Sequence, residues 1–209
     1  MKKKIALTMR IVEAPDYDET RDALSHAWTL LSDSWGVLPV PIPNGLSEPE
    51  SFLHELAPDL LVLTGGDDPG TTPERDQAEQ RLFAFALQRG IPIFAVCRGM
   101  QFINNHFGGK TMPVNGHVAT PHGIYSLLAW RKFYGPGTTV NSYHTQGIAS
   151  DGLGDGLEPF ASDGDGNVEA FYHRSHPLIA VMWHPERSEA PTGDREMVLN
   201  LIDQGMFWT

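Results

Sequence analysis

The chain has 209 residues, 41% hydrophobic and 20% charged, which suits one globular domain with a real core, spanning residues 1–209. Fifteen basic and 26 acidic residues leave a net charge of −11 with no basic stripe, so neither nucleic acid nor a membrane surface is an expected partner. A single cysteine excludes an internal disulfide and points to the cytoplasm; the apolar run behind "MKKK" stops at Met9, too short for a signal peptide.

Strand and helix signals alternate through the first half. "KIALTMRIV" reads as a strand, and residues 16–36 as a helix with Leu24, Ala27, Trp28 and Leu31 on one face and Gly36 closing it. "VLPVPIP" is a strand that its prolines confine to an edge. "SEPESFLHELAP" is a short helix in which Ser47 and Glu50 have the spacing of a capping box. "DLLVLTGG" is a wholly apolar strand, "PERDQAEQRLFAFALQRG" a helix and "IPIFAVC" the next strand. This order predicts an α/β fold: a doubly wound, mostly parallel sheet flanked by helices. From residue 110 onward the signals shorten. "IYSLLAW", "GTTVNSYHTQGI", "VEAFYH" and "LIAVMW", punctuated by "DGLGDG" and "DGDGN", read as an antiparallel extension of the same sheet. "DREMVLNLIDQGMFW" is a closing helix.

Cys97 stands between an apolar strand and a helix carrying Met100, Phe102, Ile103 and Phe107. A lone cysteine there is usually a small buried hydrophobe. A strand–nucleophile–helix elbow is the sharper reading: it lifts the sulfur above the sheet edge, aims the first helical N–H groups at what the sulfur attacks, and favours the thiolate. Ala95 and Gly99 keep that turn small. A cysteine nucleophile needs a base and an acid to orient it, and His184 and Glu186 in "VMWHPE" supply both types, with Pro185 stiffening the link. "LTGGDDPG" offers Gly65 and Gly66, whose backbone approaches a ligand closely; with the N–H of Arg98 they suit an oxyanion hole. "VNSYHTQG" carries Asn141, Ser142, Tyr143, His144 and Gln146 on what reads as an exposed edge or a recognition strip. His106, His117, His122, His144, His173 and His176 show no i,i+4 pair, and with one cysteine no metal or other cofactor is expected.

Four blocks, "LTGGDDP", "IFAVCRGMQFINNHFGG", "VNSYHTQGI" and "MWHPE", together resemble the class I glutamine amidotransferase superfamily (a flavodoxin-like fold), in its γ-glutamyl-γ-aminobutyrate hydrolase or peptidase C26 branch. The resemblance implies that Cys97 attacks a γ-glutamyl carbonyl and forms a thioester, that His184 is base and then acid, and that Glu186 orients it. It implies that the N–H groups of Gly66 and Arg98 hold the oxyanion, that Gln101 helps bind the glutamyl group, and that Asn141 to His144 hold its α-amino and α-carboxylate ends. Ala95 stands where the family often has glycine, and the compact segment "VNGHVATPHGI" leaves the leaving-group pocket open to a different substrate. The block "YDETRDALSHAW" is similar to small bacterial members that release glutamate from γ-glutamyl-CDP-amidate during surface-polysaccharide decoration. The expected partner is thus a small γ-glutamyl substrate. Rival readings are a γ-glutamyl peptidase, a glutaminase subunit feeding a synthase partner, and a non-catalytic binding protein; a homodimer is also open. Which basic group would meet a phosphate, among Arg131, Lys132 and Arg174, is open as well.

Overall fold

The computed structural model describes residues 1–209. The chain enters through β1 (Lys4–Thr8), a hairpin of β2 (Arg10–Glu13) and β3 (Thr20–Ala23), and α1 (His26–Trp35). It continues through β4 (Leu38–Ile42), α2 (Pro49–Leu56), β5 (Leu60–Leu63), α3 (Pro73–Arg89), β6 (Ile93–Val96) and α4 (Arg98–His106). An excursion of two-residue strands follows: β7 (Met112–Pro113), β8 (His122–Gly123), β9 (Tyr125–Ser126), β10 (Thr139–Val140) and β11 (Gln146–Gly147). The longer β12 (Leu157–Ser162), β13 (Val168–His173) and β14 (Leu178–Val181) then lead to α5 (Gly193–Gln204).

The main sheet has eight strands in the order β4-β1-β5-β6-β14-β13-β12-β9. The first five run parallel and the last three are antiparallel. Strands β5, β6 and β14 are buried at every position, so alternate side chains feed two cores. On one face Leu60, Val62, Phe94, Val96, Ile179 and Val181 pack with Trp28 of α1 and Met197 and Leu201 of α5. On the other, Leu61, Leu63, Ala95 and Ala180 pack with Leu53 of α2, Phe83 of α3 and Met100 and Ile103 of α4. Helices thus cover both faces, and the carboxyl ends of β5, β6 and β14 meet along one edge. None of the helices is long and apolar enough to cross a membrane.

The proline-bearing strand lies at the sheet edge, as its composition predicts. Five local expectations change. The expected single strand over residues 4–12 divides at Met9 into β1 of the main sheet and β2 of a separate hairpin. The expected helix over 16–36 begins only at His26, because Ser25 caps it by accepting from the Ala27 N–H; residues 20–23 pair with β2 instead. The expected capping box does not form, since Glu50 turns to Arg81 (2.6 Å to Nε and to Nη2) and Pro49 starts α2 without a side-chain cap. "LIAVMW" does not join only the antiparallel part: β14 is parallel to β6 and antiparallel to β13, the seam where the sheet changes sense. "IYSLLAW" is one short strand and a 3₁₀ turn rather than a full strand.

Candidate active site

Cys97 ends β6 and opens α4. Its N–H still donates to the Val181 carbonyl (2.8 Å), while its own carbonyl already accepts from the Gln101 N–H (3.1 Å). Serving strand and helix at once places it at φ 52°, ψ −105°. A non-glycine residue there carries strain of about 1–3 kcal/mol, which persists only when neighbours over-determine it. The neighbours do so here. A Cβ on Gly99 would lie 2.4 Å from the Leu63 carbonyl oxygen, so α4 sits hard against the end of β5. Ala95 is buried between Leu63 and Ala180 and needs no larger space.

The imidazole meets the cysteine across a glycine. A Cβ on Gly65 would lie 2.6 Å from His184 Cε1 and 3.6 Å from Cys97 Cβ, so any side chain there would push them apart. His184 Nδ1 donates to Glu186 Oε1 at 2.7 Å, which leaves Nε2 as the free, basic nitrogen. The backbone of His184 is clamped by one side chain: Asn141 Oδ1 accepts from its N–H (2.8 Å), and Asn141 Nδ2 donates to its carbonyl (2.9 Å) and to that of Ser188 (2.9 Å). The adjacent Trp183 is fixed too, its Nε1 donating to Asp194 (3.1 Å) beside the Tyr134 hydroxyl (2.7 Å). Burial pushes the Asp194 carboxyl up to about 7 despite these donors.

Burial also pushes the Cys97 thiol up to about 12, outweighing the Arg98 N–H that favours the thiolate, and Glu186 adds to the rise. Burial thus works against the thiolate that the helix N-terminus favours, and attack is eased when the proton leaves as the sulfur bonds.

Beneath the Thr64–Gly66 turn lies a buried ionic network that sequence reading missed. Arg75 Nη2 donates to the carbonyls of Thr64 (2.8 Å) and Gly65 (3.2 Å), and its Nε to Glu79 (2.9 Å). Arg98, the first residue of α4, pairs with Glu79 and Asp76. One pair of turns on α3 therefore holds both the glycine turn and the elbow. Gly66 fits over it only without a side chain: φ is +151°, and a Cβ would lie 2.3 Å from Arg75 Nη1. Arg75 and Glu79 at i,i+4 look in sequence like an ordinary exposed helix pair, so no sequence signal marks their burial.

The site residues expected from sequence divide into groups. Cys97, His184, Glu186, Gly65 and Gly66 gather at the strand ends, with the backbone of Arg98. Tyr143 joins them, its ring edge-on to His184 (5.7 Å) and covered by the Arg187 guanidinium (4.2 Å). Gln101 is buried in α4 and donates to the Gln146 carbonyl (3.1 Å). Ser142 Oγ is spent on the His117 carbonyl (2.7 Å), and His144 is buried with Nδ1 donating to the Gln146 carbonyl (2.9 Å), facing a different cluster. The "NSYH" segment is mostly irregular chain rather than a strand. A cleft of about 300 Å³ opens above His184 and Gly65, walled by Trp28 and Leu24 and lined by Arg10 and Arg187. The basic groups at the cleft are those two. Lys132 lies over the rings of Phe133 and Phe207, and Arg174 pairs with Glu158 at the surface.

The Peptidase C26 family matches residues 5–186, and the chain belongs to that family. Among its relatives, the gamma-glutamyl-CDP-amidate hydrolase of Campylobacter jejuni is 27% identical over 190 residues, covering 88% of this chain and 90% of that protein. A gamma-glutamyl-gamma-aminobutyrate hydrolase of Escherichia coli O157:H7 is 33% identical over 194 residues, covering 72% of this chain and 73% of its own. The crystal structure of a putative GMP synthase subunit from Thermoplasma acidophilum matches with TM-score 0.73 and 25% identity, over 97% of this chain and 93% of that one. The fold is that of the class I glutamine amidotransferases.

Proposed function

We propose that the chain hydrolyses a γ-glutamyl amide through Cys97, with a phosphate-bearing leaving group. The observation that carries the reading is the meeting of a strained cysteine elbow and a Glu186-oriented imidazole on either side of Gly65. The sulfur bonds to the γ-carbonyl carbon while its proton passes to His184 Nε2. The N–H groups of Gly66 and Arg98 take the oxyanion. Collapse breaks the C–N bond, His184 returns the proton to the leaving amine, and a γ-glutamyl thioester remains. Water then gives a proton to His184 and attacks the thioester; glutamate departs and the thiol is restored. Tyr143, beside His184, is the member of the "NSYH" segment placed to touch the glutamyl group. Asn141 acts by holding His184.

The leaving group follows from charge. In a chain of net charge −11, two arginines converge on the cleft, Arg10 and Arg187, with the Trp28 ring beside them. That pairing suits a nucleoside diphosphate, and the coverage of the Campylobacter relative over nearly its whole length supports γ-glutamyl-CDP-amidate. The test is glutamate release from glutamine, γ-glutamyl-GABA, γ-glutamyl peptides and γ-glutamyl-CDP-amidate, with Cys97→Ala as control. Fast, Cys97-dependent release from the CDP-amidate supports the reading. Preference for γ-glutamyl-GABA or a γ-glutamyl peptide overturns the leaving group only. Slow release from glutamine alone replaces the reading with a glutaminase subunit that serves a synthase.

A further inference from the structure

We propose that His117, His122, His144 and Glu169 form a structural binding site for one divalent zinc ion, separate from the cysteine site. No metal signal is visible along the sequence because these ligands come from four separate segments: the chain after β7, β8, the loop between β10 and β11, and β13. Folding brings them to one point. The rings of His122 and His144 each lie against that of His117, at 4.7 and 4.8 Å between centroids. One nitrogen each of His117 and His122 and a carboxylate oxygen of Glu169 lie within 4.8 Å of one another.

The distances are too long for hydrogen bonds, and a shared ion needs the ligands to draw in by only a few tenths of an ångström toward Glu169. Glu169 oxygens stand 3.4 Å from His122 Nε2, 3.8 Å from His117 Nδ1 and 3.8 Å from His144 Nε2. A hydrogen bond would bring them to about 2.7–3.2 Å. Ligands held about 2.0–2.1 Å from a tetrahedral zinc stand about 3.3–3.4 Å apart along the edges. The polar balance agrees. Glu169 is 1% exposed, and neither of its oxygens has a hydrogen-bond partner; nor have His117 Nδ1, His122 Nε2 and His144 Nε2. A buried carboxylate without a donor is expensive, and a cation is the partner that satisfies all four groups together.

The outer contacts point the lone pairs inward. His144 Nδ1 donates to the Gln146 carbonyl, so Nε2 carries the lone pair that faces Glu169. His117 Nε2 faces Asp163 Oδ2 at 3.3 Å, leaving Nδ1 toward the centre, and Asp163 is itself fixed by the N–H groups of Asp165 and Asn167. A carboxylate or carbonyl behind a ligating imidazole is the usual support of a metal-bound histidine, and His117 and His144 have one, whereas His122 Nδ1 has no partner. Three imidazoles and one carboxyl group, nitrogen-rich and thiol-free, suit zinc. A cleft past Asn115, Tyr125 and Asp165 gives an ion access. The ion would tie three segments of the excursion to the sheet. It would also hold Tyr143 in place, because the His144 N–H (3.0 Å) and Ser142 Oγ both donate to the His117 carbonyl.

The test uses the full chain without a histidine tag, its metal content read by mass spectrometry and its unfolding by calorimetry. About one zinc per chain is expected, falling to near none in Glu169→Gln and His144→Ala. Chelation of the wild type should lower Tm by about 5–10 °C, restored by zinc. Cobalt reconstitution should give the visible absorption of a four-coordinate ion in the wild type and not in His144→Ala. Chelation and reconstitution keep the test decisive if a variant fails to fold. A folded wild type with no bound metal, whose Tm ignores both zinc and chelator, overturns the proposal, as does zinc that persists in both variants. None of these readouts depends on the assigned activity.

Discussion

The parallel side of the sheet and the excursion between α4 and β12 keep their shape by different means. Strands β5, β6 and β14 are buried along their whole length, and their ends are fixed by backbone pairing and contacts too tight for a Cβ. The excursion has five strands of two residues each and exposes Tyr125, Leu127 and Leu128. It buries Trp130, Tyr134 and Val140 in one core, and its His117, His122 and His144 face the carboxylates of Asp163 and Glu169. The strained backbone of Cys97 sits on the first kind of scaffold, where close packing and the Arg75–Glu79–Arg98 network together over-determine it.

The sharpest way to break the comparison is at the elbow. Cys97→Ala and His184→Ala should each lower kcat by at least about 10³-fold, with Glu186→Gln losing less because it orients the base. Circular dichroism and calorimetry should show both folds intact, and a reversed order for His184 and Glu186 would refute their roles. Next comes the buried ionic network under the glycine turn. Glu79→Ala leaves Arg75 and Arg98 buried without their shared carboxylate and should destabilise by about 3–5 kcal/mol, measured by urea unfolding. A loss near zero would mean that packing alone holds the glycine turn.

A third, pH-dependent effect follows from Asp194, whose carboxyl ionises near 7 in the folded protein and near 3.8 unfolded. Between those values the unfolded chain has lost the proton and the native one keeps it. This group therefore makes stability fall as pH rises from about 4 to about 7, by up to about 1.4 kcal/mol per pH unit, and level off above. Asp194→Asn should remove that contribution from the stability–pH curve; unchanged curves would place the proton elsewhere. The smallest effect is expected at the cleft. Arg187→Ala should raise KM about 10-fold for a phosphate-bearing γ-glutamyl substrate, close to 1.4 kcal/mol, and leave glutamine nearly unaffected. An equal change for both would remove Arg187 from leaving-group recognition.

Much of this was legible in the chain itself. The apolar runs over β5, β6 and β14, the proline-marked edge strand, Gly36 as a helix stop and the "DGDGN" turn each rest on interactions within a few residues. So does the position of Cys97 between a strand and a helix. The start of α1 is not legible locally, because residues 16–23 are mostly polar and carry no period that would separate helix from hairpin. The capping box failed because Arg81, 31 residues from Glu50, offered a better partner than the helix end. The direction of β14 was out of reach, since an apolar strand looks the same whether its neighbour is parallel or antiparallel.

By itself, the sequence determined most of the strands and helices and singled out Cys97, His184 and Glu186, which the fold brings to one edge of the sheet. Periodicity, caps and tight turns act over a few residues, so they are written locally. Tertiary structure alone decided that Asn141 clamps His184, that Arg75, Glu79 and Arg98 share a buried network, that Arg10 and Arg187 face the cleft, and that three scattered histidines converge on Glu169. Apart from Arg75 and Glu79, one turn apart on α3, these groupings join residues distant in the chain, and only the closure of the intervening segments brings them within contact distance.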